Sequence, residues 1–552
     1  MEGFLEFWHW LIDDHLYEYI GAYMFLALAL MLFSGLPVAY ALGGVSLIFA
    51  ILATWIDAIT FKEFFSALNR SYGGDGQSGA IQNPILVAIP CFVFMGTMLE
   101  KSRVAADLLD ILQIMLKRVP GGLALSVTVM GTIMAATTGI IGASVVMMTL
   151  LALPEMLKAR YAPTLATGTI AASVTLGILI PPSIMLVLMA NLLAVSVGNL
   201  FIGAILPGLV LSGLYFMYIV ARASINPAIA PRIDEDTIDL RPSNNSNIVL
   251  FFGMVVGFVA LSYVLETLAE SAMAGRAEGD TATPLIAQFN WGLFAFLAIF
   301  ISSMVIGRRE GKSLFGGILK GFVPPIFLIT LVLGSIFAGW ATPTEAAGVG
   351  AFGSIVLAYM NGTLTKDVVR QVCHRTGLTT AMIFFIFVGA TAFSTIFRAT
   401  YGEDLIIEFI EWLELGAWPL LFLLMFAVFL LGFFFDFLEI TLIILPVFAP
   451  VIKAFAPEFA PHLGLEGLFP GKIEEQVIYW FAILVAVNLQ TSFLTPPFGF
   501  ALFYMKGVAP SSVKMQEIYR GIIPFVTLQV IGLSIVLYFP NLALWLPALM
   551  LE

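Results

Sequence analysis

Two stretches of this chain are almost purely apolar and have an awkward length. Gly121 to Pro154 contains no charged residue, and Pro419 to Ile452 contains only Asp436 and Glu439. As a single helix either would reach about 51 Å, against a hydrocarbon core of roughly 30 Å; two full crossings need about 40 residues and a turn. Two half-length helices that enter and leave on the same side, a re-entrant hairpin, fit both stretches. Such a hairpin presupposes a membrane, and composition supplies it. Hydrophobic residues make up 60% of the 552 and charged residues 11%, where soluble domains carry roughly 25% charged residues. A soluble enzyme, a nucleic-acid binder and a disordered chain are excluded; an all-α polytopic membrane protein remains.

The remaining spans follow from charges and Gly/Pro clusters. Residues 19–55 form two helices broken at Ser34-Gly-Leu-Pro37, and 57–82 is polar enough to lie along the interface. Further spans are expected from Pro84 and at about 164–190, 200–221, 248–265, 289–306, 320–340, 344–360, 378–397, 477–504 and 521–547. If both hairpins return to their starting side, the basic residues collect on one face of the membrane. Only Lys62, Arg70, Arg276, Arg398, Lys453 and Lys472 fall on the other. The positive-inside rule makes the rich face cytoplasmic and both termini external. The 121–154 hairpin then opens from the cytoplasm and the 419–452 hairpin from outside. The N-terminus, MEGFLEFWHWLIDDH, has no basic n-region, so no cleavable signal is expected.

The two halves match in order. SGLPVAYALGG (34–44) resembles GWATPTEAAGVG (339–350); FVFMGTM (92–98) resembles FIFVGAT (385–391); LIPPS (179–183) resembles LTPPF (494–498). Gly139 pairs with Gly432 and Pro154 with Pro446. Five spans and a hairpin per half make the second copy upside down relative to the first. Inverted repeats with interrupted helices are the architecture of secondary transporters.

Non-helical backbone at membrane depth survives only when buried in protein or lining a polar cavity. Four such places are visible: the two hairpin turns and the Pro-Pro breaks at Pro181-Pro182 and Pro496-Pro497. Freed carbonyls and hydroxyls there are hard oxygen donors of the kind Na⁺ takes. The first cation site is expected from Gly139, Gly142, Ser144, Thr175, Gly177 and Pro181. The second is expected from Gly432, Asp436, Thr491, Thr495 and Pro496. Substrate is placed between the breaks, with Ser183, Asn191, Thr495 and Phe498 as candidate contacts. Half-helix N-termini can hold a carboxylate there without a buried arginine. Blander readings stand beside these. A lone Pro-Pro is more often a kink, as at Pro324-Pro325; Asp436 and Glu439 can cap a half-helix, and Glu345 after Thr342-Pro-Thr344 reads as an N-cap partner.

No catalytic residue is expected. The four histidines lie outside the apolar cores, and Cys91 and Cys373 fit no metal or disulfide pattern. Gly307-Arg-Arg-Glu-Gly311-Lys312-Ser313 has one residue too few for a P-loop and no preceding strand, so it reads as a basic connector.

TPTEAAGVGAF, LIPPS with GAILPGL, and FFFDFLEITLIILPVFAP followed by LTPPFGFALF resemble the large membrane subunit of tripartite ATP-independent periplasmic (TRAP) transporters. The resemblance spans both repeats and implies an elevator-type, Na⁺-driven importer in a bacterial inner membrane, with two or more Na⁺ sites. It also implies a small four-helix membrane subunit, a periplasmic substrate-binding protein, an organic anion as substrate, and no nucleic-acid partner. The family's first hairpin tip often reads like GISGSAVAD; here GIIGASVVM keeps Gly139, Gly142 and Ser144 but has Ile141 in place of a serine. At the second tip Asp436 stays and Phe437 replaces a proline. The long connector resembles the subgroup often labelled for mannitol or chloroaromatic compounds. The expected organisation is first scaffold spans 1–56, an interfacial arm 57–83, transport part 84–222 with the first hairpin, connector 223–317, second scaffold spans 318–362, and transport part 363–552 with the second hairpin. A stand-alone Na⁺/dicarboxylate symporter is the alternative; it shares the hairpins and needs no partner.

Overall fold

The computed structural model describes residues 17–60, 83–138, 141–232, 245–254, 291–310, 313–414, 416–433, 435–465, 470–495 and 499–551, with isolated positions at 62, 65, 69, 256, 257 and 260. The expected interfacial arm and much of the connector, including most of 248–265, lie outside the described residues. All the elements that position the site are helices, and among the described residues eight helical segments are long and apolar enough to cross a membrane.

In chain order the first half contains α1 (Tyr17–Phe33), α2 (Val38–Trp55), α3 (Ala88–Lys101), α4 (Val104–Leu116), α5 (Gly122–Thr138), α6 (Ile141–Lys158), α7 (Pro163–Thr175), α8 (Ile184–Leu192) and α9 (Val197–Ile225). The joint between α1 and α2 falls where expected: Gly35 takes a φ of +82°, and Pro37, which has no N–H to lose, precedes the first turn of α2. After the connector helix α10 (Trp291–Glu310) come α11 (Val323–Phe337), α12 (Pro343–Met360), α13 (Lys366–Ala399), α14 (Gly402–Trp412), α15 (Ala417–Leu431), α16 (Phe437–Ala454), α17 (Ala456–Leu463), α18 (Pro470–Leu494), α19 (Phe500–Val508), α20 (Met515–Tyr538) and α21 (Asn541–Leu551).

Both over-long stretches are helix pairs, α5–α6 and α15–α16, but with wider bounds and helices of 17, 18, 15 and 18 residues rather than the half-length ones expected. Pro154 does not end its helix; α6 runs through it to Lys158, and α16 runs through Pro446 and Pro450. A membrane helix tolerates proline where neighbouring helices re-satisfy the freed backbone. Both interrupted spans are also present. A 3₁₀ turn (Leu176–Ile178) and a non-helical stretch containing a cis Pro181-Pro182 bond separate α7 from α8. In the second half, α18 ends at Leu494 and α19 begins at Phe500, with the Pro-Pro pair outside the described residues. The longest discrepancy is α13. It was expected at 378–397 and begins at Lys366, where Thr365 accepts the Val368 N–H and Asp367 sits in the first turn.

Packing between the halves is exchanged pairwise. Helix α2 packs on α13, and α12 packs on α3; α8 packs on α16, and α19 packs on α6; α20 packs on α7, and α9 packs on α18. Under the sequence pairing above, α2–α13 is the counterpart of α12–α3, and α8–α16 that of α19–α6. At the centre lie the two interrupted helices. From Leu165 to Thr175 and from Val477 to Leu494 every residue is buried, as expected of helices that are apolar all round. Helix α7 meets α20 backbone to backbone: a Cβ on Gly168 would stand on the Gly521 carbonyl, and a Cβ on Gly521 on the Thr164 carbonyl.

Candidate functional site

The second hairpin turns through Gly432 and re-enters helix at Asp436. That carboxylate is not idle: Asp436 Oδ1 accepts the Phe437 N–H at 2.8 Å, and Glu439 Oε2 accepts the Asp436 N–H at 3.1 Å. Together they make a reciprocal cap on α16, so both bland readings hold for this pair. The same device at Thr342 and Glu345 caps α12, again as the sequence suggests. Gly432 presses against α18, where a Cβ would overlap the Ser492 side chain. Asn488 Nδ2 donates to the Met425 carbonyl at 2.6 Å and ties α18 to α15.

The first hairpin has no acid at its tip. Ser144 is buried near the start of α6, and Gly142 faces the Tyr504 ring of α19, 2.9 Å from where a Cβ would stand. Gly139 lies outside the described residues.

These tips meet at one cavity of about 410 Å³. Gly142 and Ala143 line it from α6, Ile184 from α8, and Phe437, Leu438 and Glu439 from α16, beside Asp436. Phe493 and Tyr504 complete the wall on the α18–α19 side. Three helix N-termini therefore converge on it, that of α16 capped by its own acids and that of α8 without a side-chain cap, each bringing the positive end of a helix dipole. Chemically, the helix N-termini of α6 and α8 favour negative charge and the acids of α16 favour positive charge.

The expected site residues distribute unevenly. Gly142 and Asp436 line the cavity. Thr175 donates to the Ala172 carbonyl at 2.9 Å and accepts from Gln529 Nε2 at 3.3 Å. Gly177 sits in the 3₁₀ turn, and Pro181 in the break that follows. Thr491 Oγ1 donates to the Asn488 carbonyl and Thr495 Oγ1 to the Thr491 carbonyl, both at 2.6 Å. These hydroxyls bond back to their own helix, the ordinary behaviour of Ser and Thr in spans. Pro496 and Phe498 lie outside the described residues. Two substrate candidates fall elsewhere: Ser183 is buried and donates to the Ile178 carbonyl at 2.6 Å, and Asn191 accepts from the Asn83 side chain. Neither is among the described residues lining the cavity.

One lining group was not anticipated. Arg375 of α13 faces the cavity along with Thr379, Met382 and Ile383, one stripe of that helix. Taken as a loop charge, Arg375 escaped notice. The Thr365 cap with Asp367 behind it was the signal that helix, and so a definite facing direction, begins well before the apolar run.

A family profile described as "Tripartite ATP-independent periplasmic transporter, DctM component" matches residues 25–542. The C4-dicarboxylate TRAP transporter large permease protein DctM of Vibrio cholerae is 26% identical, over 96% of this chain and 98% of its own. Its namesake from Pseudomonas aeruginosa is 26% identical over 84% and 86% respectively. The ectoine/5-hydroxyectoine TRAP transporter large permease protein UehC of Ruegeria pomeroyi is 24% identical over 84% and 85%.

Proposed function

The chain belongs to the DctM component family of tripartite ATP-independent periplasmic transporters, and from that premise we propose that it is the permease of a Na⁺-coupled importer of an organic anion. The convergence of both hairpin tips and the interrupted helices on one cavity carries this reading. As carboxylates, Asp436 and Glu439 outnumber the single basic group among the described lining residues. Where both are ionised, an anion entering alone meets net negative charge, which a co-bound cation removes. That is a physical ground for coupling: cation at the acid-bearing second tip, anion at the N-termini of α6 and α8 opposite.

The partners are a small membrane subunit and a periplasmic binding protein that delivers substrate. The protein sits in a bacterial inner membrane with both termini periplasmic. Transport is an elevator motion, in which about 84–208 and 378–525 move against a scaffold near 20–55 and 320–360. The test is uptake into proteoliposomes under imposed Na⁺ or H⁺ gradients, with and without the binding protein. A Na⁺ gradient is expected to drive uptake only when the binding protein is present. Full uptake without it removes the tripartite reading, and uptake driven by H⁺ alone removes Na⁺ coupling.

A further inference from the structure

We propose that Arg375 is the group that reads the negative charge of the transported substrate, and that Glu100 is the internal counter-anion that holds it until substrate arrives. This rests on the organic-anion reading above. Among the described lining residues Arg375 is the one basic side chain, and it stands on the same face of α13 as Thr379, Met382 and Ile383. Its Nη1 donates to both carboxylate oxygens of Glu100 at 3.1 and 3.0 Å. Glu100, near the end of α3, is not a lining residue, so the pair spans the cavity wall with its cationic end toward the space.

A guanidinium carries more donors than this contact uses, arranged in a planar fork that fits a second carboxylate. The pair is also partly wet: the Arg375 side chain is 32% exposed and that of Glu100 14%. Glu100 is mostly covered, so it stays beside the guanidinium while the donors it does not use take a second carboxylate. A substrate carboxylate can therefore draw Arg375 partly away from Glu100 without leaving that charge bare, and Glu100 takes the full contact back on release. Glu100 weakens anion binding by competition, and the competition keeps the substrate from being trapped.

The experiment uses the complete reconstituted transporter with three probes: succinate, gluconate and uncharged mannitol. Arg375→Gln is expected to raise the half-saturating concentration of whichever acid is carried about tenfold or more, the loss of a charge-assisted hydrogen bond, and to leave mannitol unaffected. Glu100→Gln, which keeps the arginine and the shape of its partner, is expected to lower it. The exchange Arg375→Glu with Glu100→Arg rebuilds the ion pair but takes the cation off the cavity wall, so it is not expected to restore acid affinity. Restoration by the exchange, or an unchanged or higher value in Glu100→Gln, makes the pair structural and overturns the inference. Wild-type carriage of an acid with the same half-saturation in Arg375→Gln overturns this inference alone. Wild-type carriage of mannitol and neither acid overturns the organic-anion reading and this one with it.

Discussion

The two hairpins share an architecture and differ in chemistry. The first, α5–α6, turns through a charge-free tip whose neighbour is the ring of Tyr504. The second, α15–α16, carries two acids locked as reciprocal caps and is wedged by Gly432 against Ser492. On the reading proposed above, one helix pair faces the cavity with an end suited to an anion and the other with an end suited to a cation. The difference also predicts unequal tolerance: one tip rests on a half-exposed ring that can swing, the other on a buried backbone-held wall.

The sharpest test of the comparison is all-or-none. In a background with Cys91 and Cys373 replaced by serine, cysteines at Lys158 and Ala454 should label from opposite sides of the membrane with an impermeant thiol reagent. Both positions are exposed at the ends of α6 and α16. Labelling from one side would mean that the hairpins open together and the repeats are not inverted.

Next in size is Gly432→Ala. The added methyl has no room beside Ser492, and overpacking of this kind costs about 1–3 kcal/mol. Loss of thermal stability together with loss of uptake is expected; a variant as stable as wild type would show that α15 and α18 are not in the close contact described.

Asp436 separates capping from charge. Asp436→Asn keeps a good N-cap acceptor, whereas Asp436→Ala removes it at about 1 kcal/mol. If the charge serves cation binding, both variants lose Na⁺-dependent uptake and only the alanine variant loses stability. Wild-type Na⁺ dependence in Asp436→Asn would reduce this residue to a cap.

The smallest effect is expected at Gly142→Ala, because the Tyr504 ring can give way. A melting temperature close to wild type with a modest change in half-saturation is the expected result. A collapse equal to that of Gly432→Ala would erase the asymmetry between the tips.

Sequence alone determined the membrane class, both helix pairs, both interrupted helices and the cap at Glu345, and it offered the cap at Glu439 as one of two readings. Each of these is local or additive. Span length is apolar residues counted against a fixed bilayer thickness, and proline and glycine act on the backbone where they stand. Family membership was equally legible, since its motifs are short and run in order. What the sequence could not decide is which way each helix faces. Arg375 was readable as a charge near a span, but its place on the cavity wall depends on how α13 is rotated against α3 and on a partner, Glu100, hundreds of residues away. Ser183 ends the break before α8 and Asn191 lies at the far end of that helix, and their side chains are committed to Ile178 and Asn83 rather than to the cavity. Rotation about a helix axis is set by the summed packing of every neighbour, and a turn of one residue moves a side chain by about 100°. Only the assembled tertiary structure fixes that angle, and with it the chemistry of the cavity.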